Sequence, residues 1–116
     1  MSSGTLKEDR PLSAHEIEIV TWMLAHASRP LDHLAKTTST LRVVGRCSCG
    51  CPSVDFEIGA QALPNAPLAD ATGQTADGIE VGVILWGRAD AVTGLEFYEK
   101  DRPIRSLPVT TTLRSC

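Results

Sequence analysis

The spacing of apolar residues changes near residue 41 from a helical period to a period of two, and this change most constrains the fold. Residues 17–27 carry apolar side chains three and four positions apart, which is typical of a helix that packs one face on a core. From Leu41 to Cys47, apolar or small residues alternate with more polar ones, as in a half-buried strand. We therefore expect an α+β fold in which an N-terminal helix packs on an antiparallel sheet.

The beginning of the helix is marked by local chemistry. Ser13 stands at the N-cap position and Glu16 follows three residues later, which is the pattern of a capping box. The dipeptide Arg29-Pro30 ends the helical pattern, because a residue before proline disfavours helical backbone angles. Residues 30–36 predict a short second helix with Pro30 at its first position.

At least four strands are predicted, arranged as two hairpins. The first hairpin joins residues 41–47 to residues 53–58, and the second joins residues 79–87 to residues 95–99. The segment VTTTL, residues 109–113, is a candidate edge strand.

The domain organisation is simple. Residues 1–11 are polar and predict a flexible N-terminal segment, followed by a single domain over residues 12–116. Residues 60–78 are rich in Pro, Ala and Gly without periodicity, which predicts a long loop. Loops of this length are uncommon in compact domains and are often functional or mobile.

Composition excludes several classes of function. The chain has 116 residues, of which 42% are hydrophobic, and a formal net charge of -3, so it lacks a broad basic surface for nucleic acid or an anionic membrane. No apolar run approaches the roughly 18 residues that span a bilayer, and the first residues lack the apolar segment of a signal peptide. We expect a cytoplasmic protein that binds neither nucleic acid nor membranes.

Three of the four cysteines occupy alternate positions in RCSCGCPS, residues 46–53. The favoured register places Cys49-Gly50 at the centre of a two-residue turn, because a turn one position later would require Pro52 to donate an N–H that proline lacks. In this register Cys47 faces Pro52 on the core side, Cys51 lies on the opposite side and Cys49 lies at the tip. We therefore expect the three sulfur atoms to diverge.

Three interpretations of these cysteines remain open. A zinc site needs thiolates within roughly 4 Å of one another and a fourth ligand such as His33. A redox pair would use Cys49 and Cys51 in a strained and labile ring. The third interpretation makes Cys47 a small core residue and the other two tolerated turn thiols.

A second candidate site lies on the sheet. Trp86 occupies the otherwise polar parity of its strand, with Ile84 beside it, and Tyr98 is expected to point outward from the following strand. Arg88 offers a charge next to this patch. A protein partner or a second copy of the chain could bind there, although the C-terminal tail could instead cover Trp86.

The motif set C-x-C-G-C-P-S, the preceding RVVGR, the capped helix LSAHEIEIVTWMLAHA and the later GVILWG and GLEFYE resemble a family of small bacterial proteins without an assigned activity. The resemblance covers residues 11–108. It implies an α+β domain with a helix on an antiparallel sheet, and it carries over no catalytic roles.

No nucleotide-binding, acyl-transfer or zinc-protease motif is present, since the chain lacks G-x-G-x-x-G, a P-loop, G-x-S-x-G and H-E-x-x-H. The sequence therefore predicts a non-enzymatic binding or interaction protein without a cofactor. The alternative is a thiol site at Cys47, Cys49 and Cys51 that binds zinc or cycles as a dithiol.

Overall fold

The computed structural model describes residues 5–57 and 65–116 and shows an α+β fold, with helix α1 packed on a seven-stranded antiparallel sheet. The helices are α1 (Ala14–Ala25) and α2 (Asp32–Ala35). The strands are β1 (Thr5–Pro11), β2 (Arg42–Cys47), β3 (Val54–Asp55), β4 (Ala66–Gln74), β5 (Glu80–Arg88), β6 (Ala91–Glu99) and β7 (Arg114–Ser115).

The sheet order is β1-β2-β3-β6-β5-β4-β7, with every neighbouring pair antiparallel. Strands β1 to β3 form one meander and strands β4 to β6 form a second. The two meanders join where β3 pairs with β6, through Val54 opposite Leu95 and Asp55 opposite Gly94. The predicted second hairpin is confirmed as β5 and β6, which have nine residues each.

The capping box predicted for α1 is present. The backbone N–H of Glu16 donates to the Ser13 hydroxyl at 3.1 Å, and the Ser13 N–H donates to the Glu16 carboxylate at 2.8 Å. These two bonds satisfy backbone donors that an uncapped helix would leave without partners. The short helix α2 begins at Asp32, after Leu31, so Pro30 lies before the helix and not at its first position.

The core lies between α1 and the central strands. Ile19, Val20 and Met23 of α1 are fully buried, as are alternate residues of β5. Val81, Val83 and Leu85 are those β5 residues, and their common parity gives the strand its core-facing side. Burying such side chains supplies about 1.5 to 3 kcal/mol each, which makes this layer the main source of stability.

Two segments predicted to lack regular structure contain strands. Residues 5–11 of the expected flexible segment form β1, which pairs with β2 along the edge of the sheet. Residues 66–74 of the expected loop form β4, although Ala, Asp, Gly and Pro disfavour strands, because pairing with both β5 and β7 overrides the local preference. The expected loop residues 60–64 lie outside the described residues.

The C-terminal segment differs from the predicted edge strand. Thr110–Thr112 form a 3-10 turn, and the edge strand β7 follows it as a short pairing opposite β4. In the described parts of the chain, no helix has the length and apolar character needed to cross a membrane.

Candidate functional site

The loop between β2 and β3 has a different register from the predicted one. Gly45 lies opposite Asp55 and Arg46 lies opposite Val54, and the Cys47 N–H donates to the Ser53 carbonyl at 3.2 Å. The pairing is therefore shifted by one residue, and residues 48–52 replace the expected two-residue turn. A shift of one residue moves side chains to the other face of a sheet.

This shift corrects the expected position of Cys47. Cys47 is two residues from Gly45, so it lies on the same side of the strand pair as Asp55. It is half-buried and is not part of the hydrophobic core. The interpretation of Cys47 as a small core residue is therefore wrong.

Gly50 closes the first bend of the loop. Its N–H donates to the Cys47 carbonyl at 3.5 Å, and its φ of 93° lies in the left-handed region that favours glycine. Gly50 and Gly78 are the positive-φ residues of the described chain, so the loop avoids the positive φ that a tight hairpin turn would have required of Cys49.

The expectation that the three sulfur atoms diverge is wrong. The Sγ atoms of Cys47, Cys49 and Cys51 all lie within 4.8 Å of one another, and those of Cys47 and Cys49 are 2.6 Å apart. Backbone N–H groups also point at the sulfur atoms: that of Cys49 donates to Cys47 Sγ and that of Cys51 donates to Cys49 Sγ, each at 3.4 Å. The loop curls so that all three thiols share one small volume.

Ser53 fixes the C-terminal side of the loop to the sheet. Its hydroxyl accepts the Phe97 N–H at 2.8 Å and donates to the Phe97 carbonyl at 3.2 Å, so it takes the place of a paired residue beside β6. The Cys51 thiol donates to the same hydroxyl at 3.4 Å. Ser53 thereby positions Cys51, while Cys47 is positioned by the end of β2.

The thiols have opposite shifts in acidity. The hydrogen bond from Cys47 is the main cause that lowers the pKa of Cys49 to about 7, and hydrogen bonds from Cys51 add to the effect. The same bond to Cys49, followed by burial, raises the pKa of Cys47 to about 11. The cluster therefore holds an exposed thiolate at Cys49 near neutral pH, with a protonated neighbour beside it.

These thiols can do two kinds of chemistry. Thiolates are soft ligands that favour zinc, copper(I) and iron–sulfur clusters, so three of them in one volume can hold a metal ion. A thiolate with a second thiol in contact can also undergo disulfide exchange. All four cysteines are free thiols in the structure.

His33, which was expected as a fourth ligand, is placed elsewhere. It lies on α2, where its Nε2 atom makes a 2.7 Å hydrogen bond with the Ala89 carbonyl, and it is not part of the cysteine cluster. Cys116 follows β7, with its N–H donating to the Asp70 carbonyl. Among the described His, Cys, Asp and Glu residues, the cluster consists of three thiols.

The residues of the predicted sheet patch on β5 and β6 lie on one face of the sheet. Ile84 and Trp86 alternate on β5, and Tyr98 lies on the same face, opposite Gly82. All three are half-buried. The Trp86 indole N–H donates to Glu96 at 2.8 Å, and the Tyr98 ring fills the space that a side chain at position 82 would need.

Arg88 is engaged in ion pairs. Its guanidinium donates two hydrogen bonds to the Glu57 carboxylate, at 2.9 and 3.1 Å, and lies 3.2 Å from Asp90. A paired guanidinium has fewer free donors for a ligand. Arg88 therefore links β5 to the segment after β3 through an ion pair. It adds little charge to a binding patch.

Sequence reasoning missed the role of Ser53, which borders the thiol loop. The sequence assigns Ser53 to the start of the second strand, and its partner Phe97 is distant in sequence. Asp55 lies opposite Gly94, and partial burial raises the pKa of its carboxyl. The alternating pattern of residues 53–58 included Asp55 on the outward side of the strand, but it did not indicate this partial burial.

Comparison with known proteins finds no family model, no curated protein and no solved structure that matches this chain. The resemblance based on the cysteine motif therefore stays a prediction.

Proposed function

We propose that the protein binds a thiophilic metal ion, with zinc as the first candidate, through the thiolates of Cys47, Cys49 and Cys51. The observation that carries this proposal is the mutual distance of the three Sγ atoms, which is at most 4.8 Å. It replaces the interaction protein expected from the sequence as the leading function, because that expectation depended on sulfur atoms pointing apart.

The distances are compatible with a metal centre after small side-chain rotations. Zinc–sulfur bonds of about 2.3 Å in a tetrahedron place thiolates about 3.8 Å apart. The Sγ atoms of Cys47 and Cys49, which are 2.6 Å apart, would need to move apart by about 1.2 Å. Two Sγ atoms at the upper limit of 4.8 Å would need to approach by about 1 Å. The χ1 rotations of surface cysteines are sufficient for changes of this size.

Local hydrogen bonds favour the ligand form of the sulfur atoms. The N–H groups of Cys49 and Cys51 point at neighbouring sulfur atoms, where they stabilise negative charge. Metal binding releases thiol protons, and the lowered pKa of Cys49 reduces the free-energy cost of deprotonating the first ligand. The higher pKa of Cys47 makes affinity rise with pH.

Three ligands from the chain leave a coordination position for water or for a group from another molecule. Cys49 is exposed, so an ion held there is accessible from solvent. This arrangement fits a site that exchanges or presents its metal better than a closed structural site. A reducing compartment such as the cytoplasm would keep the thiols free for this role.

Metal content and thiolate count test the proposal. Protein purified without chelators under reducing conditions should carry close to one equivalent of zinc, and Co²⁺ substitution should give intense thiolate-to-metal charge-transfer bands. Cys49→Ser should weaken zinc binding, whereas the matched Cys116→Ser should leave it unchanged because Cys116 lies outside the cluster. Metal-free protein that shows no charge-transfer band with added Co²⁺ would refute the proposal.

A second candidate function is binding of a protein partner, or of a second copy, through the sheet face of Ile84, Trp86 and Tyr98. It is favoured by the half-exposure of these apolar side chains on one face. In a Trp22→Phe background, acrylamide should quench Trp86 freely in dilute protein and less at high concentration if the chain self-associates. Quenching that is weak at every concentration would indicate a covered tryptophan and count against this function.

A further inference from the structure

The structure assigns to Cys47 and Cys49 a second activity, the reduction of low-molecular-weight disulfides by thiol–disulfide exchange, in which Cys49 attacks and Cys47 resolves. This activity uses two sulfur atoms of the proposed metal site and requires no metal. It also changes the pair expected from the sequence, which was Cys49 with Cys51.

The choice of pair follows from distances. The Sγ atoms of Cys47 and Cys49 are 2.6 Å apart, within about 0.6 Å of the S–S bond length of about 2.05 Å. Cys51 differs from this pair in having a partner on the sheet side of the loop, because its thiol also donates to the Ser53 hydroxyl at 3.4 Å. Ser53 is itself held by two hydrogen bonds to the backbone of Phe97.

The order of attack follows from exposure. Cys49 lies at the exposed tip of the loop, where a dissolved disulfide can approach it along the line of its S–S bond. Cys47 is half-buried at the end of β2 and is therefore less accessible than Cys49. The Cys51 N–H donates to Cys49 Sγ and supports negative charge on the attacking sulfur.

The reaction balances without a further reagent. The Cys49 thiolate attacks one sulfur of a disulfide R–S–S–R, so that a Cys49–S–S–R bond forms and the first R–S⁻ leaves. The Cys47 thiolate then attacks Cys49 Sγ, the mixed disulfide breaks, and the second R–S⁻ leaves. The two thiol protons end on the leaving groups, two electrons pass to the substrate, and the products are a Cys47–Cys49 disulfide and two R–SH.

The test uses full-length, reduced, chelator-treated protein and oxidised glutathione. Peptide mapping by mass spectrometry should find a disulfide between Cys47 and Cys49. Cys47→Ser should stop the reaction at a stable glutathione adduct on Cys49, and Cys49→Ser should slow glutathione release by at least about tenfold. Cys116→Ser is the matched control that should keep the rate within about twofold, because Cys116 lies outside the cluster.

Two results would overturn this assignment. One is a disulfide that includes Cys51 in the unmodified protein. The other is equal, stable glutathionylation of all four cysteines without ring closure. Because metal is removed throughout, a failed metal proposal leaves this test intact, and a failed exchange reaction leaves the Co²⁺ titration intact.

Discussion

Arg10 on β1 donates two hydrogen bonds to the Glu16 carboxylate on α1, at 2.8 and 3.0 Å. The Glu16 side chain is 5% exposed, and the same carboxylate accepts the Ser13 N–H of the capping box. One buried carboxylate therefore caps the helix and ties it to the edge strand. Burial acts to raise the pKa of Glu16, but the hydrogen bonds from Arg10 and Ser13 outweigh it, so the net pKa is lowered.

Removing this guanidinium should destabilise the protein. Arg10→Met keeps the apolar stem of the side chain and leaves the Glu16 carboxylate with its Ser13 bond alone. We expect a loss of about 1–3 kcal/mol in the free energy of unfolding at neutral pH, below the cost of breaking a fully buried pair because Arg10 is 39% exposed.

The loss of stability in Arg10→Met should be larger at pH 7 than at pH 4. A carboxyl with a lowered folded-state pKa stabilises the fold above its unfolded value near 4.3, and this stabilisation disappears as the pH falls through the folded value. Urea denaturation at pH 7 and pH 4 measures the difference. Arg42→Met is the matched control, since its partner Asp9 is 83% exposed and such pairs contribute about 0–1 kcal/mol. Equal losses in both variants would contradict the assignment.

Ionisation of Asp55 should destabilise the fold, in contrast to ionisation of Glu16. Partial burial raises the pKa of its carboxyl, so the ionised form is disfavoured in the folded state. The cost is absent below the unfolded pKa near 3.9 and complete once the pH exceeds the raised folded value. Asp55→Asn should therefore be more stable than the parent protein at pH 7, and this advantage should shrink toward pH 4.

Denaturation curves of Asp55→Asn and of an exposed control, Asp70→Asn, at both pH values test this statement. An advantage that is the same at pH 4 and pH 7 would show that packing, and not ionisation, is responsible.

Local interactions were predictable from the sequence, and contacts between distant segments were not. The bond between Ser13 and Glu16 spans three residues, and the sequence pattern alone gave it correctly. The register of β2 and β3 occurs together with hydrogen bonds between Ser53 and Phe97, 44 residues away. A contact of this range has no local sequence signal, and the pairing differs from the predicted one by one residue.

The error at the thiol site follows from that shift. The predicted tight turn required a positive φ at Cys49, and the structure removes this strain by leaving the positive φ to Gly50. The proximity of the cysteines in sequence was visible, but the convergence of their sulfur atoms depends on the wider loop. The strand β4 was missed for a related reason, because its small residues pair only in the presence of β5.

Alkylation should separate the thiols by pH. In reduced, metal-free protein, the pKa of about 7 for Cys49 predicts that its reaction with iodoacetamide reaches half of its maximal rate near pH 7. Cys47, with a pKa of about 11, should react more slowly at that pH. Peptide mapping after short exposures gives the rate for each cysteine.

The cause of the lowered Cys49 pKa is testable in the same alkylation assay. Cys47→Ala removes the hydrogen bond that contributes most to lowering the Cys49 pKa, so the midpoint should move to higher pH. A profile for Cys49 that is unchanged in Cys47→Ala would contradict the role of the pair.

Gly50→Ala tests whether the backbone of the loop gathers the thiolates. A Cβ at Gly50 meets no atom within 4 Å, so the cost of the substitution comes from its φ of 93°. Gly78 has a φ of 84° and equally open surroundings, and it lies in the turn before β5, away from the cysteines. Each alanine variant should therefore lose about 1 kcal/mol in the free energy of unfolding.

The two variants should differ in metal binding. Relieving the strain at Gly50 rotates the loop and separates Cys49 from Cys47, so zinc affinity measured by competition with a chromophoric chelator should fall about tenfold, the equivalent of roughly 1.4 kcal/mol. Gly78→Ala should bind zinc as tightly as the parent protein. If both variants bound zinc equally well, the positive φ of Gly50 would have no part in assembling the site, and the cysteine spacing alone would account for the cluster.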